Sequence, residues 1–318
     1  MAYSFAGFIG IGKESAWGTP VAVTDYVAAL NENLTLTRDR FEVVNILNRF
    51  AEPNDIAGAS RLAGSIAFAG HPVTLGYFLN GALGNLASQS VVLSGFLWTN
   101  TFQPAITDNG ADNPVPPYTF EIFRDVTSSH RYSGVQMNRL QLQMQPNQDL
   151  RVTADVIAKT TSVFAKTTAS FPGSSADPFT FDTCSVSVAG AGSALYENIS
   201  VTFDNQAEGV LVLNNSTDIV RIRRRGPQLV RVSGTLGFDN LTEYNNFVNQ
   251  TEQIFAVSFT KAASFQCVVE LPSVVYTTFP LGMSGRQRQT VGFDGMARYN
   301  AGSGYAVRVK LTTTKSNY

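Results

Sequence analysis

The chain has 318 residues, of which 44% are hydrophobic and 15% charged, with 23 lysines and arginines against 24 acidic residues. This length is enough for two domains that each bury a core. The balanced charge excludes a general attraction to nucleic acid or anionic lipid, and so few charges are typical of a surface that contacts other protein surfaces.

The first half begins with an irregular, glycine-rich arm, predicted over residues 1–24. A strand over 33–38 is followed by the polar segment 39–60, which is too long for a hairpin turn. A second strand over 61–68 then precedes a helix, because apolar residues recur at helical spacing after Pro72. Residues 85–117 are predicted as a loop insertion, and strands resume over 118–124, 139–145 and 151–159.

The second half follows a segment rich in serine, threonine and alanine, 162–178, which predicts a junction between domains at 25–165 and 175–318. Asn240 can cap a helix that carries Glu243 at capping-box spacing. Strands are predicted over 255–260, 266–275, 289–296 and 305–312. The expected fold is mainly β: two tandem antiparallel sandwich-like or barrel-like domains, each with one short α-helix, plus an extended N-terminal arm and long loops.

Two stretches of the first half are echoed in the second. Glu-Asn-Leu-Thr-Leu-Thr at 32–37 is matched by Glu-Asn-Ile-Ser-Val-Thr at 197–202. Arg-Leu-Ala-Gly-Ser-Ile-Ala-Phe at 61–68 is matched by Arg-Val-Ser-Gly-Thr-Leu-Gly-Phe at 231–238. The order is kept and the alternation of apolar residues agrees, as expected of two copies of one domain separated by loop insertions.

Residues for catalysis or cofactor binding are scarce. The stretch 7–13 fits the phosphate-binding pattern G-x-x-x-x-G-K, but Glu14 stands where a metal-ligating serine or threonine is needed. The two histidines, His71 and His130, are not at a metal-ligand spacing, and no G-x-S-x-G or C-x-x-C pattern occurs. We therefore predict no enzyme, no catalytic or metal-binding residue and no cofactor.

Neither export nor membrane insertion is indicated. The start of the chain lacks the basic segment of a signal peptide, and no apolar run approaches the roughly 18 residues of a transmembrane helix. Cys184 and Cys267 both lie in strand-like runs, and we expect free thiols rather than a disulfide. The prediction is a protein made in a cytoplasm, without membrane insertion.

The N-terminal run Gly10-Ile11-Gly12-Lys13-Glu14-Ser15-Ala16-Trp17-Gly18-Thr19-Pro20 has the form G-x-G-x-E-x-x-x-G-T-P. It resembles the opening of tail tube (major tail) proteins from bacteriophages with long, non-contractile tails. The resemblance continues through 32–37, 61–68, 131–135, 178–181 and 226–238, and so covers nearly the whole chain.

This resemblance implies a structural virion protein, assembled in the host cytoplasm, whose rings stack into the tail tube. The channel would pass the tape-measure protein and then double-stranded DNA without specific binding, and terminator and tail-tip proteins would contact the tube ends. A subunit with two tube domains is expected to close a trimeric, pseudo-hexameric ring; the rival is a hexamer with the second domain outside. Another hypothesis is a minor virion or adhesin-like protein with two β-domains that binds a host surface.

Contacts between subunits are expected from three segments. The loop 39–60 should bridge adjacent rings, and the arm should become ordered only on another subunit. The basic run 221–225 has three interpretations: a solvated strand edge, a DNA contact, or ion pairs with acidic residues of a neighbour, which we favour. The predicted assembly residues are Glu14, Trp17, Arg49, Glu52, Asp55, Arg221, Arg223, Arg224 and Arg225.

Overall fold

A computed structural model describes residues 3–43, 55–93, 96–104, 114–124, 127–171, 177–282 and 288–318. The described chain is mainly β, its paired strands run antiparallel, and two short α-helices accompany them, which confirms the predicted fold class. None of the helices in these ranges is both long and apolar enough to cross a membrane.

The strands of the first half are β1 (Phe8–Lys13), β2 (Asp25–Val27), β3 (Ala29–Glu32), β4 (Thr35–Glu42), β5 (Asp55–Ala69), β6 (Gly84–Leu93), β7 (Leu97–Pro104), β8 (Tyr118–Phe123), β9 (Ser128–Met144), β10 (Arg151–Ala158) and β11 (Thr160–Ala165). Those of the second half are β12 (Cys184–Val188), β13 (Ala191–Ser193), β14 (Tyr196–Asp204), β15 (Ala207–Val210), β16 (Arg221–Arg224), β17 (Leu229–Gly237), β18 (Gln253–Ala262), β19 (Phe265–Thr278), β20 (Thr290–Ala297) and β21 (Arg308–Thr313). The helices are α1 (Pro72–Leu83) and α2 (Thr242–Val248).

One sheet runs through both halves, and we call it the spanning sheet. Its strand order is β4–β5–β10–β9–β14–β17–β20–β19. The long strands β9 and β19 bend out of it and also join other strands. The first flank sheet has the order β2–β1–β8–β9–β11, and the second has the order β13–β12–β18–β19–β21–β7–β6.

The echoed segments pair in the same register in both halves. Thr35 and Leu36 of β4 lie opposite Ala63 and Leu62 of β5. Their counterparts on β14 lie opposite the counterparts on β17, because Ser200 faces Ser233 and Val201 faces Val232. The equivalence extends to the next strand of the sheet. In the first copy β10 pairs with the other edge of β5, and in the second copy β20 pairs with the other edge of β17. The two halves are therefore copies in topology as well as in sequence.

Helix α1 packs against the spanning sheet and against both flank sheets. Proline at its start presets a helical φ, and Gly84 ends it in the left-handed conformation at φ 83°. The ring of Phe78 lies 4.1 Å from that of Phe68 on β5 and 6.4 Å from that of Phe120 on β8. In the second half α2 covers a similar position, where Phe247 stacks on Phe279. Both helices lie on the same, apolar face of the spanning sheet.

Three segments differ from the sequence predictions. Residues 8–13 of the supposedly irregular arm form the nearly buried strand β1, hydrogen-bonded on both sides. The stretch 85–117 is not simply a loop, because β6 and β7 form a hairpin that extends the second flank sheet through β21. The ends of 39–60 continue β4 and β5 as a hairpin as far as Glu42 and Asp55. In the first of these segments, pairing with distant β8 stabilises a strand whose glycines are poor strand formers.

Candidate assembly surfaces

The two halves of the chain meet through backbone pairing between β9 and β14. The register runs from Met144 opposite Ile199 to Arg139 opposite Asp204. Gln141 reinforces it, because its Nε2 donates to Oγ of Ser200 at 2.9 Å. We call this the internal joint. In the order of strands across the spanning sheet, β9 is the last strand of the first copy and β14 is the first strand of the second copy.

Buried polar bonds lock the internal joint beside α1. Asn205, fully buried after β14, donates through Nδ2 to the carbonyl oxygens of Ala82 at 2.9 Å and Met137 at 3.0 Å. Its Oδ1 accepts from Arg224 Nη2 at 2.8 Å and from Gln228 Nε2 at 2.9 Å. Satisfied polar groups of this kind fix a single geometry, because any displacement leaves buried groups without partners.

Among the described residues, no strand pairs with the equivalent edge of the first copy, on β4, and we call this edge open. Leu36 of β4 is 41% exposed, whereas its counterpart Val201 of β14 is 2% exposed because β9 lies beside it. An open groove of about 670 Å³ runs along this edge, lined by Leu34, Leu36 and Val163 among others. An unpaired strand edge with an exposed apolar side chain is a template for another strand. The contrast between Leu36 and Val201 becomes visible only in the structure.

The hairpin of β4 and β5 projects from the sheet and carries apolar side chains on its surface. Phe41 and Ile56 lie opposite each other and are 54% and 45% exposed. Asp55, predicted to act in assembly, forms an ion pair with Arg40 of the same hairpin at 3.3 Å. Arg49 and Glu52, also predicted, lie outside the described residues.

Glu14 is buried within the chain, and Trp17 beside it is half-buried. Glu14 is only 4% exposed. Its carboxylate accepts from the backbone N–H groups of Gly18 and Gly134, both at 2.8 Å, and from the hydroxyl of Thr119 at 2.7 Å. Trp17 Nε1 donates to the carbonyl oxygen of Gly134 at 3.0 Å. These contacts fasten the N-terminal stretch to β8 and β9, and contact of Glu14 and Trp17 with a neighbouring subunit stays a prediction.

The basic run lies on a separate two-stranded hairpin of β15 and β16. Arg225 forms an ion pair with Glu208 across this hairpin at 2.5 Å, and Arg224 contacts Asn205. Arg223 is exposed and Arg221 is half-buried. The hairpin loop also meets β5, because the N–H of Ser60 donates to the carbonyl oxygen of Thr217 at 2.7 Å. The structure thus brings the basic run close to the base of the β4–β5 hairpin.

Neither cysteine lies in a setting that favours reactivity. Both are free, and each is in register with Phe259, so a whole strand separates them. Burial raises the pKa of the Cys267 thiol to about 12 and that of the Cys184 thiol to about 11. Within the described ranges, acidic, histidine and cysteine side chains form no cluster of three or more that could hold a metal ion.

The family model described as phage tail tube protein matches residues 4–301, nearly the whole chain. The match includes both copies of the duplicated unit, the internal joint and the open edge of β4. No curated protein matches the chain.

Proposed function

The chain belongs to the phage tail tube protein family, a structural component of the virion tail, and from this membership we propose that three copies close each ring of the tube. In this proposal two tube domains, 25–165 and 175–318, alternate around a pseudo-six-fold ring, and the segment 1–24 before them contributes β1 to the first flank sheet. Assembly takes place in the host cytoplasm.

The internal joint is the observation that supports this proposal. Within one chain, the last strand of the first copy pairs with the first strand of the second copy. The counterpart of β9 in the second copy is β19, and the counterpart of β14 in the first copy is β4. Repeating the β9–β14 pairing between subunits therefore places β19 of one subunit against the open edge of β4 in the next. The exposure of Leu36, where Val201 is covered, is the exposure that such a neighbour would remove. Repetition of one interface around an axis closes a ring and leaves no free strand edge.

The dimensions of such a ring suit a channel. The spanning sheet has eight strands per chain, so three chains provide twenty-four. At about 4.8 Å between strands, the circumference is about 115 Å and the diameter about 37 Å, before strand tilt widens it. A channel of this width passes the tape-measure protein first and double-stranded DNA afterwards, while terminator and tail-tip proteins contact the exposed rings at the ends.

Ring stacking is assigned to two hairpins that leave the spanning sheet at equivalent places. The β4–β5 hairpin carries Phe41 and Ile56, and the loop after β15 carries Leu213, which is fully exposed. The β4–β5 hairpin connects β4 to β5, and the β15–β16 hairpin lies between the equivalent strands β14 and β17. Because these strands are equivalent in the two copies, both hairpins leave the same end of their strand pair. Contacts of Arg223 with acidic residues of a neighbour would reinforce the stacking, as exposed ion pairs worth about 0–1 kcal/mol each.

Electron microscopy and native mass spectrometry of the concentrated protein test the proposal. Tubes or rings are expected, and a dissociated ring should have the mass of three chains. A protein that stays monomeric at high concentration would instead favour the adhesin-like hypothesis. A six-chain ring would contradict the pseudo-hexameric arrangement while leaving the tube intact.

A further inference from the structure

The segment 314–318 lies across the first copy of the duplicated unit, although it follows β21, a strand of the second copy. It contacts five elements of the first half, namely β1, β2, α1, β6 and β7. Side chains of the first half hold its main chain. The main-chain oxygen of Lys315 accepts from Asn100 Nδ2 at 3.0 Å, and that of Ser316 accepts from Gln89 Nε2.

Tyr318 anchors this segment in a cleft beside α1. The residue is only 4% exposed, and its ring meets the rings of Tyr77 at 5.3 Å and Phe102 at 5.9 Å, in both cases edge-on. Its main-chain oxygen accepts from Lys13 Nζ at 2.6 Å and from Asn80 Nδ2 at 3.0 Å. A large aromatic ring buried in a fitted pocket is a typical anchor of a bound polypeptide.

The cleft is shaped for this ring. A Cβ on Gly76 would overlap the ring of Tyr318, so the space that the ring occupies exists only because α1 carries glycine there. Glycine is a poor helix former, and its presence in the middle of α1 favours a role for that space.

Lys315 is the second anchor. Its Nζ donates to both carboxylate oxygens of Asp25 at 2.8 Å, and the hydroxyl of Tyr77 donates to the same carboxylate at 2.5 Å. The side chains of Lys315 and Asp25 are only 24% and 16% exposed. Because a covered charge needs a partner, removal of Lys315 leaves Asp25 in an unfavourable setting.

We propose that the first copy contains a peptide-binding cleft, and that segment 314–318 of the same chain is its ligand. The ligand is an extended peptide with a lysine and, three positions later, an aromatic residue. We assign to the filled cleft the role of making the first copy competent for assembly. This second part rests on the proposed ring, whereas the cleft itself does not.

The cleft is connected to the open edge of β4 through packed elements. Helix α1 forms one wall of the cleft and also packs on β5, where the rings of Phe78 and Phe68 lie 4.1 Å apart. Strand β5 in turn pairs with β4. Since 314–318 is synthesised after both copies, the first copy is completed only when the second is present. A chain that holds the first copy alone would therefore be excluded from rings.

Peptide binding to a chain that ends at Thr313 tests the cleft directly. Fluorescence anisotropy should show that this chain binds a labelled peptide of residues 314–318. Peptides with Lys315→Ala or Tyr318→Ala should bind about tenfold or more weakly, whereas Asn317→Ala, at an exposed position, should leave binding unchanged. Equal binding by all of these peptides, or no binding of the parent peptide by the folded chain, would overturn the inference.

Trypsin tests the same cleft in the full chain. The docked segment shields the peptide bond after Lys315, and Gly76→Ala should displace the ring of Tyr318. Mass spectrometry should therefore detect cleavage after Lys315 about tenfold or more faster in this variant. Since alanine strengthens a helix, a weaker α1 cannot cause that result. Gly282→Ala is the matched control, because a Cβ there meets no atom within 4 Å; equal cleavage rates in the two variants would contradict the cleft.

Tube formation tests the role of the filled cleft in assembly. Tyr318→Ala should lower the yield of tubes about tenfold or more relative to Asn317→Ala, while circular dichroism shows that both proteins are folded. A normal yield from the Tyr318→Ala protein would overturn the link between the cleft and assembly. If the wild-type protein forms no tubes, the proposed ring is refuted, and peptide binding and trypsin cleavage still decide whether the cleft exists.

Discussion

Gly64 and Gly234 occupy the same position in the two copies, and each lies against the main-chain carbonyl of an asparagine. A Cβ on Gly64 would lie 2.7 Å from the carbonyl oxygen of Asn33. A Cβ on Gly234 would meet the carbonyl oxygen of Asn198, the echoed residue, even more closely. The glycine at this position of both copies thus has a steric cause, because the chain crosses too close to a neighbouring backbone for any side chain.

We expect Gly64→Ala and Gly234→Ala each to lower the free energy of unfolding by about 1–3 kcal/mol, because backbone must move to admit a methyl group. Gly292→Ala is the matched control, since the nearest atom to its Cβ would be 3.9 Å away. There the smaller entropy of the unfolded chain should leave stability unchanged or slightly raised. Urea unfolding of the three variants measures the difference, and equal losses at all three sites would contradict the steric explanation.

Leu36→Asp should prevent ring formation without unfolding the subunit. The side chain is 41% exposed in the single chain, so a carboxylate there remains solvated until a neighbouring subunit covers it. Leu241→Asp, at a 57% exposed leucine beside α2, is the control and should still assemble. Sedimentation and electron microscopy report assembly, and circular dichroism reports folding. Normal tubes from the Leu36→Asp protein would rule out β4 as the subunit interface.

Glu14→Ala should be far more destabilising than a typical surface substitution. It leaves two backbone N–H groups and the Thr119 hydroxyl without their acceptor in a buried site, at about 1–3 kcal/mol for each unsatisfied group. Glu208→Ala removes only an exposed ion pair with Arg225 and should cost about 0–1 kcal/mol. Trypsin should also cleave the Glu14→Ala protein faster after Lys13. Similar losses of stability in both variants would refute the internal role of Glu14.

Stability should fall in acid partly through Asp25. Burial acts to raise the pKa of Asp25, but hydrogen bonds from Lys315 and Tyr77 outweigh burial and leave the pKa below its usual value. A carboxyl group with a lowered pKa in the folded state contributes stability above its unfolded pKa of about 3.9, and this is lost as the pH falls through the folded value. Asp25→Asn should therefore flatten the loss of unfolding free energy between about pH 5 and about pH 2. An unchanged slope would show that Asp25 does not contribute.

Local sequence patterns predicted the elements whose signals are local. Helix α1 was predicted from Pro72 and the apolar spacing after it, and the observed helix begins at Pro72. The echoes predicted equivalent strands, and these pair in equivalent registers. The helix signal consists of residues that determine their own local conformation. The strand signal is a pattern that is repeated within the same chain.

The features that could not be predicted from the sequence depend on residues that are distant in the chain. Strand β1 contains Gly10 and Gly12, which are poor strand formers, and it is stabilised by pairing with β8 more than a hundred residues later. The role of Glu14 as an acceptor within the chain depends on Gly134, which no motif places beside it. The exposure of Leu36 likewise follows from which strand lies next to β4, and alternation alone does not determine that.

The internal joint also changes how assembly depends on protein concentration. In a ring of six separate domains every contact is bimolecular, whereas in the proposed ring of three chains half of the domain contacts would form within a chain. Tethering of this kind supplies an effective concentration of about millimolar, so these contacts persist at any dilution. At the internal joint each copy always meets the same partner, the other copy of its own chain. The sequences of the two copies can therefore diverge from each other. The β6–β7 hairpin, present in one copy alone, is a divergence that six identical domains could not have acquired.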